Sequence, residues 1–564
     1  MPMDLQMEYK ILSSMEKVFC ENTLTREKDF EDFDCSVVEG AKGEKIAFQI
    51  ALKSNENIFV SFEAQGALSD SVTFRQVGVV PCELPAPGMI KDMLRADPGL
   101  YPDPLIPVKE SVRLLPGVWY SIWVSVDLKE DRKAGIYPLT VRCYKRHYQD
   151  APWDKEVPYE ISVPVKIHLH NTKLEKQKLI CTNWFYADCL AEYYKVKVFS
   201  EPFWDLLEKY MLDYAAHGRN MILTPLWSVP LDTRIGGERP TAQLLDIAYE
   251  NGKYSFDFTR LKRWIDLGRK CGIEYFEMSH FFTQWGAKFT PKILVKVGKR
   301  LTKRFHWNVK ADSPRYREFL TQLMENLIPF LRDEGLSGKC YFHFSDEPFE
   351  GDIENYKRST APLREVLTDE EEFPVIDALS SPKFFQEGLV RTPVPYFCHL
   401  EAFEKEPIKH KWCYFAGNAE HYPMRCLGAP LCNYRILGVL LYYYKMEGFL
   451  HWGHNFWFSQ YSRETDLNPW VETTAGRGFT GGNIYNVYPG KDGSPVAAQH
   501  YESFMEGMYD LRLLETLEKK SSRKKVLALI DSTSGTPLAM NNLPADHTWI
   551  LKLRRKIFAV LDPE

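Results

Sequence analysis

The sequence predicts a multidomain chain that joins an all-β part to an α/β part: an N-terminal β-sandwich followed by a (β/α)8 TIM barrel. Three observations predict it. Residues 1 to about 172 hold short runs of alternating apolar and polar residues without helical spacing. From about residue 176, strand-like runs alternate with runs of three-to-four apolar spacing. Eight such strand–helix units fit into roughly 340 residues. The expected domains are 1–172 for the sandwich, 176–515 for the barrel and 516–564 for a helical extension packed on the barrel. An open, doubly wound sheet is the rival for the second part, because the helices of units five to seven are short.

In the first part, strands are expected at 45–52, 58–64, 74–80, 118–128, 137–144 and 161–170, separated by Pro, Gly and Asp. Residues 96–108, ADPGLYPDPLIPV, are expected to form a proline-rich loop and no strand. The eight barrel strands are expected at 179–185, 220–226, 274–282, 339–346, 375–381, 394–400, 412–417 and 449–456. Helices are expected at 203–217, 258–271, 315–334, 353–367 and 434–446, with Gly218, Gly272 and Gly335 closing the first three. The Gly-rich stretch 475–482, AGRGFTGG, lacks the strand and helix that frame a phosphate loop, and is expected to be a mobile loop over the site. A helix over 496–519, the charged run 518–525 and a final helix near 547–560 complete the chain.

Composition narrows the function. Hydrophobic residues make up 45% and aromatics 14%, enough for a large core. The net charge of -5, with no basic block, argues against nucleic-acid binding by phosphate neutralisation. The longest apolar stretch, 436–444, is too short to span a bilayer, so no membrane partner is expected. The N-terminal residues carry acids and no apolar run. The twelve cysteines show no CxxC spacing, and Cys143, Cys181, Cys340, Cys398 and Cys413 fall in expected strands. Reduced structural thiols in a cytoplasmic protein are the expectation. The oligomeric state is not readable.

Chemistry concentrates at residues 339–349, KCYFHFSDEPF, an expected buried strand ending in two adjacent carboxylates and a proline. Pro348 lacks an N–H and stops the ladder. In a regular strand Asp346 and Glu347 point to opposite faces; where the chain bends, both can reach one pocket. Barrels place reactive groups at the C-terminal ends of strands. The residues expected there as ligand contacts are Asn183, Trp184, Asp188, Glu277, His280, Trp285, Trp452, Asn455 and Trp457. Tyr186, Thr224, Trp227, Gln284, His399, Glu401, Asn418, His451 and His454 also fall near strand ends. An aromatic, amide-rich rim with few cations suits a neutral polyhydroxylated ligand. Each has a plainer alternative: Asp346 as a helix cap, Glu277 as the buried partner of an Arg, Trp452 and Trp457 as core. His451 and His454 resemble a metal pair, but HxxH on a strand splits them between faces and no third ligand supports them, so no metal and no cofactor are expected. No nucleophile elbow supports a Ser-His-Asp reading.

FHFSDEP at 342–348, SHFFTQWGAKFTPK at 279–292, TNWFYADCLAEYYKVKVFS at 182–200, GFLHWGHNFW at 448–457 and AAQHYESFMEGMYDLRLLE at 497–515 resemble glycoside hydrolase family 123 and the related domain-of-unknown-function 4091 group. The resemblance implies a retaining β-N-acetylgalactosaminidase acting on glycans or glycoconjugates with a terminal amino sugar. It further implies that the Asp-Glu pair of the family maps onto Asp346 and Glu347, with the substrate's own acetamido oxygen as nucleophile. Glu347 is then the acid and base, and Asp346 orients the acetamido group. The chain departs from the group at Ala498 and His500, where Ser and Arg are expected, and at Tyr186, where some relatives are expected to carry His. Glycosidases on β-GlcNAc or plain β-galactosides, the latter with Glu277 as first candidate nucleophile, and an inert glycan-binding protein are the alternatives.

Overall fold

The structure, a computed structural model, describes residues 5–20, 33–87, 93–148, 158–416, 422–544, 546 and 548–563. Met1 to Asp4, Gly417 and Asn418 of the expected seventh strand end, and His547 of the expected last helix lie outside the described residues. The chain forms two compact units. One comprises Met1–Gln177, Ala419–Tyr444 and Val496–Glu564; the other comprises Lys178–Asn418 and Lys445–Pro495. Among the described residues no helix is long and apolar enough to cross a membrane.

In the first unit, two five-stranded sheets share one core. The first runs Met7–Ser13, Glu44–Ser54, Trp119–Leu128, Val72–Cys82, Gly99–Pro107 in spatial order. The second runs Val37–Lys42, Glu160–Lys173, Gly135–Arg146, Ile58–Gln65, Val112–Leu114. Phe48, Ile50, Ile122 and Val124 of the first sheet meet Val60, Val141, Val163 and Val165 of the second, as alternation along each strand requires. One expectation is corrected here: the proline-rich stretch is a strand, Gly99–Pro107, paired antiparallel with Val72–Cys82. It lies at the sheet edge, where Pro102, Pro104 and Pro107 need no ladder donor on their outer side.

Four helices, Cys432–Tyr443, Gln499–Lys520, Arg523–Ser534 and Trp549–Leu561, belong to the same unit. The expected domain bounds assigned 434–444 and 496–515 to the barrel; both segments belong to the unit of the N-terminal sheets. The helices Cys432–Tyr443 and Gln499–Lys520 cross where Gly438 faces the carbonyl of Gly507 with no room for a Cβ. Arg435 then pairs with Glu506 (3.0 Å) and Asp510 (2.9 Å), and Arg554 bridges Asp510 (2.5 Å) to Glu44 (2.6 Å) on a sheet strand. Gly438→Ala is expected to destabilise this crossing by about 1–3 kcal/mol, the usual cost of overpacking, read as a lowered thermal midpoint. An unchanged midpoint would mean that the helices separate without cost. The charged run 518–525 ends one helix and opens the next, whose N-cap Ser522 accepts the Lys525 N–H.

The second unit holds eight short parallel strands: Ile180–Asn183, Met221–Thr224, Tyr275–Met278, Cys340–His343, Val375–Leu379, Thr392–Pro395, Trp412–Phe415 and Gly448–His451. Their spatial order is 6-5-4-3-2-1-8-7, and a parallel bridge between Tyr396 and Tyr414 joins the two ends. The result is a nearly closed eight-stranded parallel barrel. Every strand residue but Ile180 and Tyr275 is buried, as strands covered on both faces are. The sixth strand ends earlier than expected, at Pro395, and His399 and Glu401 lie instead in the helical turns Phe397–His399 and Leu400–Phe403. Pro393 and Pro395 cut its ladder short. A four-stranded sheet absent from the sequence reading, Lys253–Asp257, Asp246–Glu250, Ile293–Val297 and Arg300–Phe305 in spatial order, is built from the long segments around the third strand.

Candidate active site

The fourth strand ends at His343, and the next residues turn away from the ladder. Phe344 C=O accepts from Phe281 N–H (3.1 Å) and Phe282 N–H (3.0 Å); Ser345 N–H donates to Asp377 Oδ2 (3.2 Å), and its Oγ donates to Thr283 C=O (3.0 Å). Asp346 C=O then accepts the Trp285 N–H at 2.8 Å. Glu347 has a left-handed backbone, φ +44°, immediately before Pro348. That turn is what lets two sequence neighbours face one space. Asp346 and Glu347 both line a cavity of about 190 Å3 together with Trp184, Tyr186, Leu231, Asp232, Gln284, Trp285, Ala378, Tyr414, Ala416, Leu450, Trp452 and Phe479.

Aromatic rings wall the cavity. Trp452 packs on Phe479 at 4.8 Å and Phe456 at 5.4 Å between ring centres. Trp285 meets Tyr461 edge-on at 5.9 Å. Phe479 is the contribution of the Gly-rich stretch. Tyr414 donates its hydroxyl proton to Glu347 Oε1. Burial, and next the Glu347 carboxylate beside it, push the Asp346 carboxyl well above the ordinary range, while the imidazolium of His343 opposes the rise. Asp232 is raised to about 6 by burial, against the Tyr461 N–H that its Oδ2 accepts at 3.0 Å. Asp232 (φ +40°), Trp285 (φ +60°) and Tyr461 (φ +60°) all have left-handed backbones. Such backbone is costly for non-glycine residues and collects at ligand sites.

Beneath the cavity lies a buried polar layer. Glu277 is fully buried; its Oε1 accepts from Trp184 Nε1 (2.9 Å) and faces His343 Nδ1 (2.9 Å), and its Oε2 accepts from Thr182 Oγ1 (3.0 Å). His343 Nε2 lies 3.4 Å from Asp377 Oδ1, without the alignment of a hydrogen bond. Burial alone would lower the His343 pKa, but the carboxylates of Asp377 and Glu277 win and raise it to about 10. His280 stacks 4.0 Å from the His343 ring and is held well below its ordinary pKa, first by burial and then by His343.

Of the eleven residues expected at the site, Asp346, Glu347, Trp184, Trp285 and Trp452 line the cavity. The other six do not. Glu277 and His280 form the buried layer below, and the partner of Glu277 is a His rather than an Arg. Asn183 turns its Oδ1 to Arg219 Nε (2.9 Å). Asp188 holds Arg239 through two oxygens (2.8 and 2.9 Å), and Arg239 packs over the Tyr186 ring at 4.7 Å. Asn455 clamps the Tyr186 backbone from both sides (2.8 and 3.0 Å). Both act on the wall through Tyr186. Trp457 is core, packed on Tyr193 and Tyr210 with its Nε1 on Val487 C=O. His451 Nδ1 accepts the Gly453 N–H, and His454 stacks on Phe185. Tyr186 and Gln284, both expected near strand ends, also line the cavity, and the expected loop 475–482 reaches it through Phe479; Leu231, Asp232, Ala378, Tyr414, Ala416 and Leu450 line it without a sequence expectation. Tyr414 sits near the end of an expected strand and was within reach of the strand-end rule; Asp232 comes from a loop with no such signal.

The glycoside hydrolase 123 catalytic-domain model matches residues 184–517. The chain belongs to glycoside hydrolase family 123. A solved family 123 glycoside hydrolase from Clostridium perfringens has the same fold, with a TM-score of 0.74 at 13% identity over 99% of this chain and 98% of that one. A Bifidobacterium dentium β-glucuronidase (TM-score 0.33, 10% identity, 90% of this chain and 66% of that one) is a more distant neighbour. An Eisenbergiella tayi β-galacturonidase (TM-score 0.31, 10% identity, 82% and 69%) is another. No curated protein matches. Within a glycoside hydrolase family, carboxyl groups in an aromatic-walled cavity are the groups equipped for acid and base chemistry.

Proposed function

We propose that this family 123 protein is a retaining glycosidase that removes terminal β-linked N-acetylgalactosamine by substrate-assisted catalysis. The supporting observation is that Asp346 and Glu347, adjacent in sequence, both line one cavity, while Glu277, the candidate for a separate nucleophile, is sealed beneath it with both oxygens occupied. A retaining enzyme with its own nucleophile needs a second carboxylate about 5–5.5 Å from the acid, across the sugar. Neighbours on one turn fit a different division of labour. The acetamido oxygen of the sugar attacks C1 as the glycosidic bond breaks, and Glu347 gives its proton to the departing oxygen. Asp346 accepts the acetamido N–H and stabilises the positive charge that develops on the oxazolinium ring. Water then attacks C1, Glu347 takes its proton, and the ring opens with net retention.

Burial and the neighbouring Glu347 carboxylate favour the protonated form of Asp346 in the free cavity, so this role requires substrate to bring its ionised form the amide N–H and the developing cation as partners. Trp285 and Trp452 offer apolar faces to the sugar and its acetyl methyl. The Clostridium perfringens relative is described for glycolipid glycan hydrolysis, which favours a glycoconjugate with a terminal amino sugar as the substrate class here. Aryl β-GalNAc, β-GlcNAc and β-Gal separate the readings. Chromophore release from N-acetyl sugars with none from β-Gal is the expected result, and turnover of β-Gal alone would leave the acetamido group without a role.

A further inference from the structure

We propose that the layer beneath the cavity is a binding site for a divalent transition-metal ion of the zinc type, with His280, His343 and Asp346 as its ligands. One ligand atom from each of these residues lies within 4.8 Å of the others. Tetrahedral zinc with bonds of about 2.0–2.2 Å sets its ligand atoms about 3.4 Å apart, a gap that side-chain rotations can close. His280 points independently to a ligand: it is fully buried, and neither ring nitrogen has a hydrogen-bond partner among the described residues. Buried polar atoms are ordinarily satisfied, and metal coordination would satisfy one of these.

His343 is already oriented for the task. Its Nδ1 rests against Glu277 Oε1 at 2.9 Å, and its Nε2, without a hydrogen-bond partner, would exchange its proton for the ion, so binding releases a proton to solvent. A carboxylate on the far nitrogen is the arrangement that fixes ring and tautomer of metal-binding histidines. Asp377 Oδ1, also without a hydrogen-bond partner and 3.4 Å from His343 Nε2, offers a further oxygen. Two imidazoles and a carboxylate suit zinc better than magnesium or calcium, which take oxygen ligands. Asp346 lines the cavity, so the ion would sit between the sealed layer and the substrate space. If Asp346 serves the substrate as proposed above, an ion on its carboxylate blocks the acetamido contact, and zinc inhibits turnover.

The test uses the full chain, stripped with chelator and titrated with Zn2+ and with Co2+. Wild type is expected to bind one more equivalent than His280→Asn, and Co2+ in that equivalent to show ligand-field bands without thiolate charge transfer. Glu277→Gln should weaken the zinc affinity by about 10–100-fold. Asp346→Asn, facing the cavity, should weaken it too, and serves where His280→Asn does not fold. The cluster Glu39, His168 and His170 in the other unit has similar spacing, so His168→Asn is the control and should keep the equivalent. The site is overturned if His280→Asn and Asp346→Asn bind as wild type does, if the equivalent disappears in His168→Asn, or if its cobalt spectrum is that of a thiolate. Turnover is a separate arm. Loss with zinc and recovery with chelator is expected. Zinc bound through His280 with turnover unchanged would leave the site standing and remove Asp346 from the proposed mechanism.

Discussion

Glu347→Gln is expected to lower kcat/KM on an unactivated glycan by about 10²–10⁴-fold, the usual worth of a positioned proton donor. A sugar leaving group departs as a poor alkoxide unless it is protonated as the bond breaks. A nitrophenol departs without help, so the first step on an activated aryl glycoside should lose far less. The second step still needs a base for water. On aryl substrates the loss should therefore move into kcat, with a fall in KM as the oxazolinium accumulates. A series of aryl glycosides with graded leaving-group pKa reads this out: the variant's rate should fall steeply along the series where wild type is nearly flat. A uniform loss would take the acid role away from Glu347. The Tyr414 hydroxyl on Glu347 Oε1 and the left-handed turn at Glu347 orient the carboxyl that delivers the proton in the proposed mechanism.

Asp346→Asn should behave differently on the same series. In the proposed mechanism its carboxylate meets charge that develops on the acetamido group, which is the same for every leaving group. Loss of one such preorganised partner costs about 10²–10³ in kcat, or about 2.7–4 kcal/mol. The expected outcome is a fall of that size, independent of leaving group, with a smaller change in KM. A loss that instead grew with leaving-group pKa would exchange the two roles. Near-normal rates in both variants would move the chemistry off this pair altogether.

Much of the barrel was legible because its strands are short, apolar and punctuated. All eight expected strands overlap observed ones, although each was drawn too long: the fourth was read to Asp346 and pairs only to His343. The excess is informative. In a barrel of such short strands the residues just past the last ladder bond belong to the site, and buried residues such as Phe344 and Ser345 continue toward it outside the ladder. The edge strand Gly99–Pro107 was hidden because proline content signals a loop, and only its place at a sheet edge makes the prolines tolerable. The four-stranded sheet beside the third strand was missed because its strands, such as DIAYE and KYSFD, alternate over only five or six residues, too few to stand out from loop.

The site divides along a similar line. Local order along the chain marked Asp346 and Glu347 as a pair of carboxylates ending a buried strand, with tryptophans at neighbouring strand ends, because strand termination and apolar periodicity are properties of a few consecutive residues. Which candidates face the cavity was decided only by the fold. Asn455 and Asp188 spend their polar atoms on Tyr186 and Arg239, and Trp457 spends its N–H on Val487. Glu277 is covered by Trp184 and His343. Asp232, silent as a loop residue, and Phe479, from the stretch expected over the site, reach the cavity because a barrel collects its loops at one end. Direction, burial and partnership depend on contacts between residues tens to hundreds of positions apart, which no local pattern in the chain encodes.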